Sequence, residues 1–212
     1  MSETTPKILI VDDDAAFGKS LARLVKSIGL DVEVFVSANE FLESEPCEGP
    51  CCLLLDVRMP DVTGPDLQRK LAGRNQSIPI VFLTALKDVP TGINAMKEGA
   101  VDFLLKPVEE KALFEAIDRA LDQDVQQKKK AKEIEDAKCL VGTLTAREHE
   151  VFAWLITGML NKQIAVALGI TERTVKAHRG QIMQKLDVVS VAELVRLAQK
   201  ADISPARESP QL

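Results

Sequence analysis

Four apolar runs of strand length lead in turn into an acid pair, a lone acid, a hydroxyl and a lysine. Lys7–Val11 leads into Asp12 and Asp13, Cys51–Leu55 into Asp56, Pro79–Leu83 into Thr84, and Val101–Leu105 into Lys106. A fifth run, Val32–Val36, lies between the first two. The runs are continuous rather than alternating, which suits strands covered on both faces of a parallel sheet. Helical spacing fills the gaps. Phe17, Leu21, Leu24, Val25 and Ile28 form one stripe, with Gly29 as its stop, and Ser37-Ala-Asn-Glu40 reads as a capping box that opens a second helix. Further helices are expected near Asp66–Ala72 and Pro90–Lys97, and another from about Glu109. Five βα repeats predict an open, doubly wound five-stranded sheet, whose ligands sit beyond the C-terminal ends of the strands. Asp12, Asp13, Asp56, Thr84 and Lys106 all fall at that edge. Three carboxylates suit a hard divalent cation and one of them can accept a phosphoryl group, while a hydroxyl and an ammonium can hold that group's oxygens.

Other chemistries are poorly supplied. The chain has two histidines, His149 and His178, too few for the usual zinc or Ser-His hydrolytic sites. Its four cysteines (Cys47, Cys51, Cys52 and Cys139) lack a C-x-x-C pair, and Cys51 and Cys52 read as buried strand residues. Gly18-Lys19-Ser20 imitates the end of a phosphate-binding loop, but the position that loop reserves for glycine is Asp13, and the tripeptide falls inside the helical stripe. Lys19 is therefore expected to be a solvated helix residue. The polar start MSETTPK and the shortness of every apolar run predict neither a secretory signal nor a transmembrane helix, hence a cytoplasmic protein without membrane contact.

Residues 6–122 resemble the receiver domain of two-component response regulators. The likeness rests on Ile10-Val-Asp-Asp-Asp14, Leu55-Asp-Val-Arg-Met-Pro60 with Gly64, Leu83-Thr-Ala85, and Gly99-Ala-Val-Asp-Phe-Leu-Leu-Lys-Pro107. It implies a flavodoxin-like sheet of order 2-1-3-4-5 and Asp56 as phosphoacceptor. It further implies Mg²⁺ held by Asp13, Asp56 and the backbone carbonyl of Arg58, with Asp12 acting through water. Thr84 and Lys106 would bind the phosphoryl oxygens. Phe103 stands where the family has its switch aromatic, although plain strand packing explains it equally well. Arg58 and Leu86 occupy positions that tune acyl-phosphate lifetime in such domains, and Lys106-Pro107 matches a bond the family often has in the cis form. A haloacid-dehalogenase-like phosphatase with Asp12 as nucleophile is the enzymatic alternative; the Met-Pro sequel to Asp56 and the lack of room for a cap domain oppose it.

Neither Gly nor Pro occurs between Val108 and Val141, and 123–138 is rich in helix formers, so a helical linker is expected over 123–142, with a solvated tether as the alternative. Lys128-Lys-Lys130 reads as a solvated face. Beyond the linker the charge balance changes sign: residues 143–212 carry nine Lys/Arg against seven Asp/Glu, a net of +2, whereas the rest of the chain stands at −7. Thr145-Ala-Arg-Glu148 is a capping box for a helix ending near Gly158, Asn161–Leu168 stops at Gly169, Thr171 caps a helix to about Leu186, and Ser190 caps a fourth. Two short helices around Leu168-Gly-Ile-Thr171 have helix-turn-helix spacing. On the Thr171 helix, Val175, Ile182 and Leu186 share one side, while Arg173, Ala177, Gly180 and Gln184, flanked by Lys176 and Gln181, form a polar and small side fit for a major groove.

Residues 143–200 resemble the LuxR-type domain of the NarL/FixJ family through Leu144-Thr-Ala-Arg-Glu148, Asn161-Lys-Gln-Ile-Ala165, Thr171-Glu-Arg-Thr-Val-Lys-Ala-His178 and Ile182-Met-Gln-Lys-Leu186. The resemblance places Lys176, Ala177 and Gly180 toward bases and gives phosphates to Asn161, Lys162, Thr171, Thr174, Arg179 and Lys185. Arg173 and Gln181 lie on the same polar side. Asp187 stands where the family often has Gly, and Asp88-Val-Pro90 with Ala95-Met-Lys-Glu-Gly-Ala100 points to the FixJ-like subgroup. The whole reads as a receiver (1–122), a linker (123–142), a four-helix LuxR-type helix-turn-helix domain (143–203) and a disordered tail (204–212). The expected protein is a phosphoprotein of a two-component system rather than a turnover enzyme. Its implied partners are a sensor histidine kinase, double-stranded DNA, RNA polymerase and, once phosphorylated, a second copy of itself. The rival is a phosphorylation-independent DNA binder that uses its receiver as a dimer module.

Overall fold

The computed structural model describes residues 5–47, 49–74, 77–85 and 96–206. They separate into two compact units, 1–128 and 129–212. The expected helix over 90–97 lies mostly outside the described residues, as do Leu86, the Asp88–Pro90 motif and the tail from 207 onward.

In unit 1, β1 (Lys7–Val11), β2 (Asp31–Phe35), β3 (Cys51–Asp56), β4 (Ile80–Thr84) and β5 (Asp102–Leu105) form one sheet of order β2-β1-β3-β4-β5. Every neighbouring pair is parallel. The central strands β3 and β4 are buried along their whole length. Each strand divides its side chains between two cores. Ile8, Ile10, Cys52, Leu54, Val81 and Leu83 face helix α1 (Ala15–Ser27) and the Leu113–Ile117 stripe of α4 (Glu110–Gly142). Leu9, Val11, Leu53, Leu55 and Phe82 face α2 (Ala38–Glu43) and α3 (Gly64–Gly73). This double covering is why the runs do not alternate: each fully buried Leu or Ile on either side contributes about 1.5–3 kcal/mol.

Local chemistry sets the helix ends. Asp14 caps α1, its Oδ1 accepting from the backbone N–H groups of Ala16 and Phe17 at 2.9 and 3.0 Å. Past the end of α1, Gly29 takes a φ of +84°. Gly18 lies within α1 close to Val34, so its Gly-Lys-Ser tripeptide opens no helix, and Lys19 is exposed. Ser37 and Ser190 both cap as expected, but the box closes differently: Glu40 accepts from Val36 and Glu193 from Val189, one residue before the cap.

Residues 123–142 lie in α4, which runs as one helix from Glu110 to Gly142. Lys128 departs from the solvated reading of its basic run. It is half-buried and its ammonium sits 2.7 Å from Asp124.

Unit 2 packs α5 (Ala146–Leu155), α6 (Asn161–Leu168), α7 (Glu172–Lys185) and α8 (Val191–Lys200) with the end of α4. Val151, Phe152, Ile164, Val175, Ile182 and Leu194 are fully buried at its centre. Gly169 closes α6 at φ +64°. Asp187 closes α7 at φ +49°, and Val188 N–H reaches back to the Met183 carbonyl at 3.0 Å, a Schellman closure. That conformation explains the family's glycine there; Asp is among the few other residues that enter it readily. Residues 204–206, assigned from sequence to a disordered tail, hold a place in unit 2: Ala206 N–H donates to the Ala153 carbonyl at 3.0 Å.

Candidate functional site

Strand register assembles the acid pocket. Val11 lies opposite Leu55, Asp56 opposite Leu83, and Thr84 opposite Leu105, so the residues that follow or end each strand meet at one edge. There carboxylate oxygens of Asp12, Asp13 and Asp56 lie within 4.8 Å of one another. Asp12 and Asp56 are buried and Asp13 is exposed, which leaves the group an open side.

Lys106 holds the acids together. Its Nζ lies 2.6 Å from Asp12 Oδ2 and 2.7 Å from Asp56 Oδ1. The same ammonium stands 4.3 Å from the centroid of the Phe17 ring, a cation–π contact. The other oxygen of each buried acid takes a backbone donor: Asp12 Oδ1 accepts from Asp14 N–H and Asp56 Oδ2 from Arg58 N–H, both at 2.9 Å. Burial raises the Asp56 pKa, the Lys106 ion pair opposes that rise, and the charge of Asp12 adds to it. Burial alone would lower the Lys106 pKa, but its bonds to Asp12 and Asp56 outweigh that and raise it. Thr84 is fully buried and its hydroxyl rests on the Ala85 carbonyl at 3.2 Å. Phe103 is half-buried against the α3-side core, and the Lys106–Pro107 bond is cis.

In unit 2, Arg173, Lys176, Ala177, Gly180 and Gln181 are exposed on α7 while Val175 and Ile182 are buried beneath them. Thr171 Oγ1 accepts from Thr174 N–H at 3.1 Å, and Arg179 donates to Asn161 Oδ1 at 3.4 Å. A Cβ placed on Gly180 would meet nothing within 4 Å.

Residues 8–118 match the response regulator receiver domain family, and residues 142–198 match the bacterial regulatory proteins of the luxR family. The chain is a response regulator. The response regulator protein TmoT of Ectopseudomonas mendocina is 44% identical over 200 residues, covering 94% of this chain and 91% of the relative. The transcriptional regulatory protein FixJ of Azorhizobium caulinodans is 38% identical over 213 residues, covering 99% of each. Among solved structures, that of the response regulator StyR is 44% identical with a TM-score of 0.80, covering 93% of this chain and all of the other. Full-length FixJ from B. japonicum is 39% identical with a TM-score of 0.56, covering 92% and 97%. The chain thus belongs to the NarL/FixJ-type response regulators, with a receiver and a LuxR-type DNA-binding domain that regulates transcription.

Three residues of this response regulator's sites escape a reading of the sequence. Phe17 looks like core stripe, yet its ring meets the pocket ammonium. Asp14 looks like a third acid of the pocket motif, yet its carboxylate caps α1. Glu148 looks like a helix cap and nothing more, yet it is buried and its Oε2 lies 2.7 Å from Lys185 Nζ. Lys185 is thereby engaged inside its own domain. Lys185 first, then the Thr145 backbone N–H, hold the Glu148 carboxyl down to about 2. A depressed carboxylate pKa stabilises the fold above its unfolded value and is lost as protons return. Unit 2 should therefore lose stability between about pH 4.5 and about pH 2, and Glu148→Gln should flatten that limb in an acid melt followed by Trp154 fluorescence.

Proposed function

We propose that this response regulator takes a phosphoryl group on Asp56 and couples that event to DNA binding through unit 2. The reading rests on one observation above all: a lysine ammonium bridging two buried carboxylates at the carboxyl edge of a parallel sheet. The donor class is the phosphohistidine of a sensor kinase or a small acyl phosphate. An oxygen of Asp56 attacks phosphorus in line, the bond to the donor's leaving atom breaks, and a mixed anhydride forms. Lys106 neutralises the oxygens of the transferred group, which matters because such transition states are loose and catalysed mainly by position and charge. Thr84 leaves its carbonyl partner and donates to the same oxygens. All donors at the site are hard oxygens with an exposed member, which fits Mg²⁺. Asp13, Asp56 and the Arg58 carbonyl would hold it, with Asp12 one water away, and it would supply positive charge to the phosphoryl oxygens.

Downstream, phosphorylation promotes a homodimer through the face that includes β5 and the start of α4, Phe103 serving as the switch aromatic. Two copies of α7 then read adjacent half-sites in the major groove. Lys176, Ala177 and Gly180 face bases, with Arg173 and Gln181 beside them, while Asn161, Lys162, Thr171, Thr174, Arg179 and Lys185 meet the backbone. Lys185 must then serve Glu148 and DNA in turn. The chain divides as receiver 1–122, linker 123–142 and DNA-binding domain 143–203, to which 204–206 attach through the Ala206 N–H on the Ala153 carbonyl. RNA polymerase is the further partner, the compartment is the cytoplasm, and the chain turns over no separate substrate. No described helix is long and apolar enough to cross a membrane.

The test is intact-mass analysis after acetyl phosphate with Mg²⁺. A gain of about 80 Da, mapped to the peptide that holds Asp56, supports the reading, and its absence overturns it. The groove-facing role of α7 has its own test. Gly180→Ala should stabilise unit 2 by about 1 kcal/mol, because glycine is a poor helix former and the position is open. Operator affinity should nevertheless fall, as read by fluorescence anisotropy at fixed salt; unchanged affinity would place Gly180 away from DNA.

A further inference from the structure

At the end of β3 opposite the acid pocket, a second charged cluster lies away from the phosphoryl site. Asp124 on α4 is fully buried. Its Oδ2 accepts from the Cys51 backbone N–H at 2.9 Å, the first amide of β3, and from Lys128 Nζ at 2.7 Å. Lys128 also donates to the Gly49 carbonyl and touches Cys51 Sγ at 3.6 Å. One turn of helix away from Asp124, Gln127 Oε1 accepts from the Ser77 hydroxyl at 2.9 Å. Among the described residues Asp124 Oδ1 is buried with no hydrogen-bond partner, and Lys128 is the cation paired with Oδ2.

The arrangement is costly for a surface helix. A buried carboxylate needs donors and a counter-charge, and an alanine here would need neither. The position explains what is gained. The cluster occupies the last turns of α4 before unit 1 ends at Lys128. Strand β3 starts at the residue that Asp124 grips, Cys51, and ends at Asp56. One strand of six residues therefore carries the phosphoacceptor at one end and the root of the interdomain helix at the other.

We propose that Asp124 and Lys128 are positioning residues that clamp the root of the interdomain helix to the phosphoacceptor strand, and that DNA affinity follows the state of Asp56 only while this clamp is closed. The coupling rests on Asp56 being the phosphoacceptor. The cysteine thiols at the clamp are not its reactive part: burial first, then the negative charge of Asp124, push Cys51 up to about 12, which keeps it a thiol.

The test uses the full chain with Asp124→Asn and Lys128→Met. Asparagine keeps an acceptor for Cys51 and loses the charge; methionine keeps the aliphatic stem and leaves the carboxylate without its cation. Both variants should take the acetyl phosphate label as the wild type does. In both, amide hydrogen exchange of Cys51 and of 123–130 should rise in the unphosphorylated chain. The ratio of phosphorylated to unphosphorylated operator affinity should fall by about fivefold or more, the lower end of ordinary coupling between sites. Wild-type exchange at these amides in both variants overturns the clamp, and a wild-type affinity ratio in both overturns its role in coupling. A wild type that takes no label overturns the Asp56 reading and the coupling with it, while the exchange measurement still judges the clamp.

Discussion

With Asp56→Asn the acetyl phosphate label should drop to background, and the protein should melt no lower than the wild type. The two halves follow from the same geometry. The amide fills the same space and keeps an oxygen for the Arg58 N–H; its NH₂ cannot accept from Lys106, whose ammonium retains the bond to Asp12. The amide has no carboxylate to attack phosphorus. The stability half follows from the sign of the pKa shift. Asp56 is raised, chiefly by burial, so the folded protein binds its proton more tightly than the unfolded chain does. Stability tied to such a group is fully present below the unfolded pKa and is lost as pH rises through the folded one, so at neutral pH the ionised Asp56 is a burden. Removing its charge also relieves crowding with Asp12 and Asp13. Differential scanning fluorimetry beside intact-mass analysis reads both halves. Asp12→Asn is the control: label retained there and lost in Asp56→Asn separates a receiver from a phosphatase that uses Asp12 as nucleophile. Label surviving in Asp56→Asn would move the phosphoacceptor elsewhere.

Gly64→Ala should be the most damaging conservative change in unit 1. A Cβ at Gly64 would stand 2.4 Å from the Asp56 carbonyl oxygen, 2.8 Å from the Phe82 ring and 3.2 Å from Val57 Cα. Two of these three are backbone atoms, and Phe82 is fully buried, so no flexible side chain can give way. Gly64 N–H also donates to the Val57 carbonyl at 3.0 Å, which pins the start of α3 beneath the phosphoacceptor. Overpacking of a tight core costs about 1–3 kcal/mol, and a clash with backbone belongs at or above the top of that range. Urea unfolding of unit 1 should show that loss, and the acetyl phosphate label should slow as Asp56 is displaced. A midpoint within error of the wild type would mean that α3 can slide outward freely. Gly73 makes the contrast, since a Cβ there meets nothing within 4 Å.

Much of this protein is legible in its sequence. Continuous apolar runs told the strands, and the polar residues at their ends told which edge carries the site. Their bounds shifted by one residue where the ladder extends one step past the apolar run, as at Asp56 and Thr84, which pair within the sheet. Caps were legible because Ser, Thr and Asp beside a helical stripe have a known use, and Thr145 with Glu148 closes its box as the spacing predicts. Side chains with two possible employments were not legible. Lys128 and Lys185 read as solvent or phosphate residues, and each is paired with a buried acid inside its own unit. Phe17 has the spacing of a core residue and also the ring that the pocket lysine rests against.

What the chain order alone determined is the family, the parallel sheet with its acids at one edge, and a basic helix with one apolar side. These depend on residue type and spacing, which local sterics and burial translate directly into elements. What only the tertiary structure decided is which charge meets which: Lys106 with Asp12 and Asp56, Lys128 with Asp124, Lys185 with Glu148. An ion pair between residues far apart in sequence leaves no periodic trace, because its strength depends on burial and distance, and packing of the whole unit sets both.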